Sequence, residues 1–201
     1  MPLDFPADLA LELINEFTPE GGRVLDPCSG WGGRVTGFLA SHAGHYEGVD
    51  ASPLQIAGDK LIYETFADVA VEPKKTANFN ISPFEKFDAG VECFDFALTS
   101  PPYFNTERYQ GGEQSYEGKK NYEDWRDAFY APLIGKVYAA LKPGAVFCLQ
   151  VGSQRFPLRE DGIRIAKEKG FGFVECRTTD MTNSFSGTDK QDGEIILVLK
   201  K

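Results

Sequence analysis

"RVLDPCSGWGGRVTGFLASHAGHYEGVDA", residues 23–51, is the stretch from which the fold can be read. Val24 and Leu25 make a short apolar run closed by Asp26, so residues 23–26 read as a strand. A glycine-rich turn follows, and then Val35, Phe38 and Leu39 recur at helical spacing, predicting a helix over 34–44 that is closed by Gly44. Residues 45–51 form a second strand that ends on Asp50. A helix between two strands implies parallel pairing, because parallel neighbours need a long crossover while antiparallel ones need only a turn.

The same grammar extends in both directions. Leu9, Leu11, Leu13, Ile14 and Phe17 predict a first helix over 6–17, started by Pro6. Ser52 and Pro53, a capping residue followed by a proline at the first helical position, open a helix to about 67. A third strand is expected at 75–81 and a fourth at 93–100. A polar aromatic loop over 105–121 leads into a helix over 122–141. "KPGAVFCLQVG" supplies a turn and the fifth strand, and a helix is expected over 157–169. "FGFVECRTT" and "GEIILVLK" are the last two strands, and the loop between them is too short for a helical crossover, so they should be antiparallel neighbours. The expected class is α/β: a mainly parallel seven-stranded sheet, an antiparallel last strand, and helices on both faces.

With 201 residues, 42% of them apolar and 13% aromatic, the chain reads as a single compact domain without linker, repeat or low-complexity segment. It contains no run of about 18 apolar residues, and "MPLDFPADLA" lacks the basic and apolar regions of a signal peptide, so a cytoplasmic location is expected. Cys28, Cys93, Cys148 and Cys176 are scattered, without a C-x-x-C pair, and read as reduced core residues rather than as a disulfide or zinc set. A formal net charge of −9 argues against a large nonspecific nucleic-acid footprint. Any polyanion must then be met by a local basic patch. Arg108, Lys119 and Lys120 form one group, and Arg155, Arg159, Arg164, Lys167 and Lys169 another, both equally readable as solvated surface.

Open parallel sheets bind ligands beyond the carboxyl ends of their strands, where the strand order reverses. Gly30, Gly32 and Gly33 lie there, after the first strand, and allow close backbone approach to a ligand, although a tight structural turn would also use them. No Lys-Ser/Thr pair follows, which excludes the phosphate loop GxxxxGK[ST]. Asp50, at the end of the second strand, can accept hydrogen bonds from ribose hydroxyls, its alternative being a capping or surface acid. Together they point to an adenosine-bearing cofactor. Asp26 could face a cationic amino group, and the even G-x-G-x-x-G spacing suited to a pyrophosphate is missing. S-adenosylmethionine is therefore favoured over a nicotinamide dinucleotide.

"TSPPYF", residues 99–104, ends the fourth strand with a hydroxyl, two rigid prolines and two aromatic rings. With "LDPCSGWGGR" it resembles the cofactor and catalytic motifs of the S-adenosylmethionine-dependent amino-methyltransferases, which methylate exocyclic amines of DNA bases. The resemblance runs from the first helix through the fifth strand and implies a Rossmann-like methyltransferase fold. The Ser-Pro-Pro-Tyr form is similar to that of N4-cytosine enzymes, whereas Asp or Asn in the first position is commoner among N6-adenine ones. An exocyclic base amine is a poor nucleophile, because its lone pair is delocalised into the ring. Two acceptors for its N–H groups, the Ser100 hydroxyl and a main-chain carbonyl beside Pro101, would drive the nitrogen toward tetrahedral geometry. Pro101 and Pro102 have fixed φ and no competing N–H. Tyr103 offers a face on which a flipped-out base can stack, and Phe104 a second wall; a turn with two core aromatics is the alternative.

By the same resemblance, Phe5 and the helix after it contact the methionine end of the cofactor, Pro27, Cys28 and Ala51 flank it, and Ile81 and Ser82 stand where adenine is touched. The chain departs from the general methyltransferase pattern in having no acid between Asn80 and Ser82. Trp31 is expected to pack on the cofactor or on the neighbouring helix. Enzymes of this family usually carry a target-recognition region of many tens of residues, and none is expected here. Residues 105–125, "NTERYQGGEQSYEGKKNYEDW", are the candidate replacement: Arg108, Tyr109, Lys119 and Lys120 for DNA contact, and Gly111, Gly112 and Gly118 for a mobile lid, against a plain solvated loop. Low sequence specificity, a short recognition motif or a separate specificity partner is implied, in a restriction-modification, phage or mobile-element setting. The reaction needs no metal. Methylation of RNA or a free nucleobase, and a catalytically silent cofactor-binding subunit, are the alternatives.

Overall fold

The computed structural model describes residues 5–106, 108–109, 111–152, 155–178 and 194–201. Residues 179–193, which hold the predicted loop before the last strand, and Glu107 and Gln110 of the predicted 105–125 loop lie outside them. The elements in chain order are α1 (Ala7–Phe17), β1 (Arg23–Asp26), α2 (Gly33–Ala40), β2 (His45–Asp50), α3 (Pro53–Phe66), β3 (Thr76–Ile81) and β4 (Phe94–Thr99). They continue with α4 (Tyr122–Trp125), a π-helical segment (Arg126–Tyr130), α5 (Ala131–Ala140), β5 (Leu141–Val151), α6 (Leu158–Lys169), β6 (Gly172–Thr178) and β7 (Ile195–Lys200).

The seven strands form one sheet in the order β3-β2-β1-β4-β5-β7-β6. The first five pair in parallel, and β7 runs antiparallel to both neighbours, between β5 and β6. Period-2 alternation sends Leu25, Ala97, Phe147, Leu149 and Leu197 into one core with α5 and α6. Val24, Phe96, Leu98, Cys148, Ile196 and Val198 enter the other, beneath α1 and α2. Both faces of the central strands are thus buried, which is why residues 96–98, 145–149 and 195–199 are continuous apolar stretches. No α-helix lies between β3 and β4, only a 3-10 turn at Phe84–Lys86. The sheet face there is polar instead, with Glu47 accepting from Asn78 Nδ2 at 3.0 Å and Asn80 Nδ2 at 2.7 Å.

Three boundaries differ from the sequence reading, and the first is that of β5, which starts at Leu141 and takes in residues 142–144, expected to be a turn. Helix α2 stops at Ala40, where Ser41 turns extended (φ −85°, ψ 177°), so Gly44 is no helix stop. A Cβ on Gly44 would lie 2.8 Å from the Gly21 carbonyl oxygen; its absence lets two backbone segments meet. The helix expected over 122–141 is interrupted by the π-helical segment, where the Ala131 N–H reaches back to the Arg126 carbonyl. Pro132 supplies the cause, since it has no N–H and its ring crowds the carbonyl four residues earlier. All four cysteine thiols are free.

Candidate active site

The strand order reverses between β1 and β4, and a cleft opens beyond their carboxyl ends. Its walls bring together many of the sequence-predicted residues: Pro27, Cys28 and Gly30 from the turn, Asp50 and Ala51 from β2, Ser82 after β3, and Ser100 and Pro102 after β4. Tyr109 and Lys119 reach it from the 105–121 loop.

Asp50 ties the turn together. One carboxylate oxygen accepts from the Gly30 N–H at 3.2 Å and the other from the Ser52 N–H at 2.8 Å. Burial raises the Asp50 carboxyl above its ordinary value, while these two bonds pull it back. Each oxygen keeps a further lone pair for a ligand hydroxyl. Gly30 takes φ +67°, a left-handed conformation that L side chains avoid.

Asp26 is a correction. It does not face the cleft; it is fully buried, and its oxygens are engaged by Arg34 Nε at 2.6 Å, Tyr46 OH at 2.7 Å, Thr99 Oγ1 at 3.1 Å and the Cys28 N–H at 3.3 Å. The cation it meets is therefore its own chain's. Arg34 also donates to the Cys28 carbonyl and lies 5.2 Å over the Phe5 ring, so Phe5 supports the clamp from beneath rather than lining the cleft. Thr99 Oγ1 accepts in turn from the Cys28 N–H at 3.1 Å, joining the ends of β1 and β4 directly. Sequence reasoning missed both Arg34 and Thr99. A cation in the first turn of a helix, where the dipole disfavours it, was the legible hint of a buried acid beside Arg34.

Other predicted residues stand off the walls. Trp31 is 49% and Ile81 58% exposed, outside the cleft. Gly32 is a packing glycine at φ +100°, where a Cβ would come within 2.3 Å of Ile62 Cδ1. Pro101 is buried and outside the lining that includes Pro102. Tyr103 is nearly buried, with its hydroxyl 3.4 Å from Ser100 Oγ. Phe104 is no second wall: its ring packs edge-on against Tyr116, Tyr122 and Phe156 in an aromatic cluster. Arg108 and Lys120 are exposed and outside the lining.

The 105–121 loop folds across the cleft mouth. A Cβ on Gly112 would lie 2.3 Å from the Ala51 carbonyl oxygen, so only glycine permits this contact. Trp125 Nε1 donates to Ser115 Oγ at 3.0 Å, and Lys86 pairs with Glu113 at 2.9 Å. Glu85, on the 3-10 turn Phe84–Lys86, also lines the cleft, and its Oε2 is buried without a partner among the described residues. Sequence reasoning looked for an acid between Asn80 and Ser82 and missed this one, three residues further on between two phenylalanines.

Behind the turn, Ser29 Oγ donates to Asp59 Oδ2 at 2.6 Å. Burial pushes the Asp59 carboxyl up to about 7, with the Ser29 bond opposing. Between the ordinary aspartate value and pH 7 the folded state therefore binds more protons than the unfolded one, and stability falls as pH rises through that window. Asp59→Asn is expected to flatten this slope, about 1.4 kcal/mol per pH unit at most for one proton. Urea denaturation at pH 5, 6, 7 and 8 measures it, and parallel curves for both proteins would remove Asp59 as the source.

Asp50 and Glu85 give the cleft acidic walls, with Lys119 the one cation among the described lining residues. Such a site suits a sulfonium and disfavours a pyrophosphate. Burial, helped by Asp50 and Asp26, pushes the Cys28 thiol up, so it stays neutral beside these acids. The sequence model of the DNA methylase family matches residues 94–201, just over half of the chain, starting at β4 and including the Ser100–Tyr103 corner. The chain belongs to the DNA methylase family. As a member of that family it is an S-adenosylmethionine-dependent methyltransferase, and the cleft fits that cofactor by a carboxylate with lone pairs open to hydroxyls, Asp50, and by the unpartnered Glu85 oxygen. No curated protein matches the chain in sequence. Solved structures share its fold. A TehB-like methyltransferase from Corynebacterium glutamicum is 17% identical with a TM-score of 0.63, covering 98% of this chain and 89% of its own. A methyltransferase from Methanosarcina mazei is 16% identical with a TM-score of 0.64, covering 94% and 96%. The cyclopropane synthase MmaA2 of Mycobacterium tuberculosis is 12% identical with a TM-score of 0.65, covering 97% and 82%. Among the described residues, no helix is long and apolar enough to cross a membrane.

Proposed function

We propose that the protein methylates the exocyclic amine of a DNA base, with N4 of cytosine favoured over N6 of adenine. The observation that carries the reading is that Ser100 and Pro102 open into the same cleft as Gly30 and Asp50, so acceptor and donor sites face one another. Bound S-adenosylmethionine supplies a methyl group activated by its sulfonium. Asp50 accepts the ribose hydroxyls and Glu85 Oε2 accepts from the adenine amine, which satisfies its unpartnered oxygen. Asp50→Ala is expected to weaken cofactor binding by about 1–3 kcal/mol, the cost of lost charge-assisted hydrogen bonds, with little change in the transfer step. Calorimetric titration reads this, and unchanged affinity would move the ribose elsewhere.

Ser100 Oγ and the carbonyl beside Pro101 take the two amine N–H groups, and the amine lone pair turns toward the methyl carbon. The amine nitrogen would gain the methyl group as the carbon–sulfur bond breaks and leaves its electron pair on sulfur, and the surplus amine proton would pass to solvent. Positioning supplies much of the rate, with no covalent enzyme intermediate. The base flips out of the duplex to reach the cleft, and residues 105–125 take the place of a recognition domain, with Tyr109 and Lys119 already in the wall. A specificity partner would supply what so short a reader lacks.

The net charge of −9 favours a second reading, methylation of an RNA or a free nucleobase. Transfer from labelled S-adenosylmethionine, followed by digestion to nucleosides, separates them. Labelled N4-methylcytosine is expected in DNA. N6-methyladenine would reassign the base, label only in RNA or a free base would favour the second reading, and cofactor binding without any transfer would leave a silent subunit.

A further inference from the structure

Glu194 stands just before β7, and the antiparallel course of β7 carries it to the carboxyl edge of the sheet. Ile195 pairs with Val151 at the end of β5, and Leu149 of β5 pairs with Thr99 at the end of β4. A residue 91 positions from Tyr103 thereby meets the Ser100–Tyr103 corner: the Tyr103 hydroxyl donates to Glu194 Oε1 at 3.4 Å. The buried Gln150 donates from Nε2 to Glu194 Oε2 and leaves its own Oε1 without a partner among the described residues. Gly152 makes room for the arrangement, since a Cβ there would lie 2.6 Å from Glu194 Cγ.

We infer that Glu194 is a positioning residue that sets the direction of the hydrogen-bond row Glu194–Tyr103–Ser100 and so keeps Ser100 Oγ an acceptor toward the substrate amine. An ionised carboxylate can only accept, so the single Tyr103 proton is drawn to Glu194. The Tyr103 oxygen can then only accept along the row, and the contact of 3.4 Å between Tyr103 OH and Ser100 Oγ is made with the Ser100 proton. Both Ser100 lone pairs are left for the amine N–H. With an amide in place of the carboxylate, the oxygen would take the Gln150 N–H and the NH2 would face Tyr103. The row would reverse, and a hydroxyl proton would point at the amine. The inference rests on the proposed role of Ser100.

The test measures single-turnover transfer from labelled S-adenosylmethionine to unmethylated plasmid DNA, with cofactor affinity and melting temperature, for the wild type, Glu194→Gln, Tyr103→Phe, the double variant and Ser100→Ala. Glu194→Gln is expected to slow transfer about 10- to 100-fold at unchanged cofactor affinity, the range of one misdirected hydrogen bond at a charged centre. Tyr103→Phe keeps the stacking face but cuts the row, so adding Glu194→Gln to it should change nothing further. Wild-type rate in Glu194→Gln, or an equal loss with and without the Tyr103 hydroxyl, overturns the inference while slow transfer in Ser100→Ala preserves the reading of the corner. Full rate in Ser100→Ala, or no transfer by the wild type, overturns that reading and the inference with it. If Glu194→Gln does not fold, Tyr103→Phe decides alone, and an undiminished rate there overturns the inference.

Discussion

Ser100→Ala is expected to lower the rate of methyl transfer about 10²- to 10³-fold, the scale seen when one preorganised hydrogen-bonding group is removed from a reacting centre. The substitution deletes one oxygen at the end of β4 and leaves Pro101 and Pro102 to hold the backbone. Cofactor affinity should stay unchanged, because the groups assigned to the cofactor come from the ends of β1 and β2 and from the turn after β3. Single-turnover transfer and equilibrium cofactor binding, measured on one preparation, separate the two quantities. A variant that binds cofactor poorly but transfers at the normal rate would mean that Ser100 belongs to the cofactor side of the cleft.

Asp26→Ala should cost about 3–5 kcal/mol of folding stability, as expected when one member of a buried ion pair is removed. Arg34 is only 4% exposed and would keep its charge with no counter-ion, because a guanidinium holds its proton even where burial works against it, and the carboxylate that now offsets that burial would be gone. Tyr46, Thr99 and the Cys28 N–H lose the same acceptor at once. Urea denaturation reads the loss directly, and for a chain of this size the melting temperature should fall by about 6–20 °C. A loss below about 1 kcal/mol would show that the cluster relaxes around the missing group and that Asp26 is no hub. Because Thr99 precedes Ser100, a loosened Asp26 should also relax the corner, lowering the transfer rate of whatever protein remains folded.

The strand and helix pattern was open to sequence reading because burial is periodic. Val24 and Leu25 point to opposite cores, and Ser52 with Pro53 marks a helix start by local chemistry alone. The glycines were legible as special but not in purpose. Gly30 and Gly32 sit two residues apart with the same preference for positive φ, yet one borders the cleft and the other makes room for Ile62. That difference is a matter of which distant side chain arrives, and no local pattern carries it. Phe104 shows the same limit, since its aromatic partners come from residues 116, 122 and 156.

By itself the sequence determined the α/β order of elements, the strand ends that form the cleft, and the serine-diproline corner, because each depends on neighbours a few residues away. Only the tertiary structure decided that Asp26 turns inward to Arg34, that Glu85 brings a buried, unpartnered carboxylate oxygen to the cleft, and that Glu194 reaches Tyr103. Those outcomes depend on strand order and on the competition of buried charges for partners. A charge taken from water must find its counterpart wherever the fold brings one.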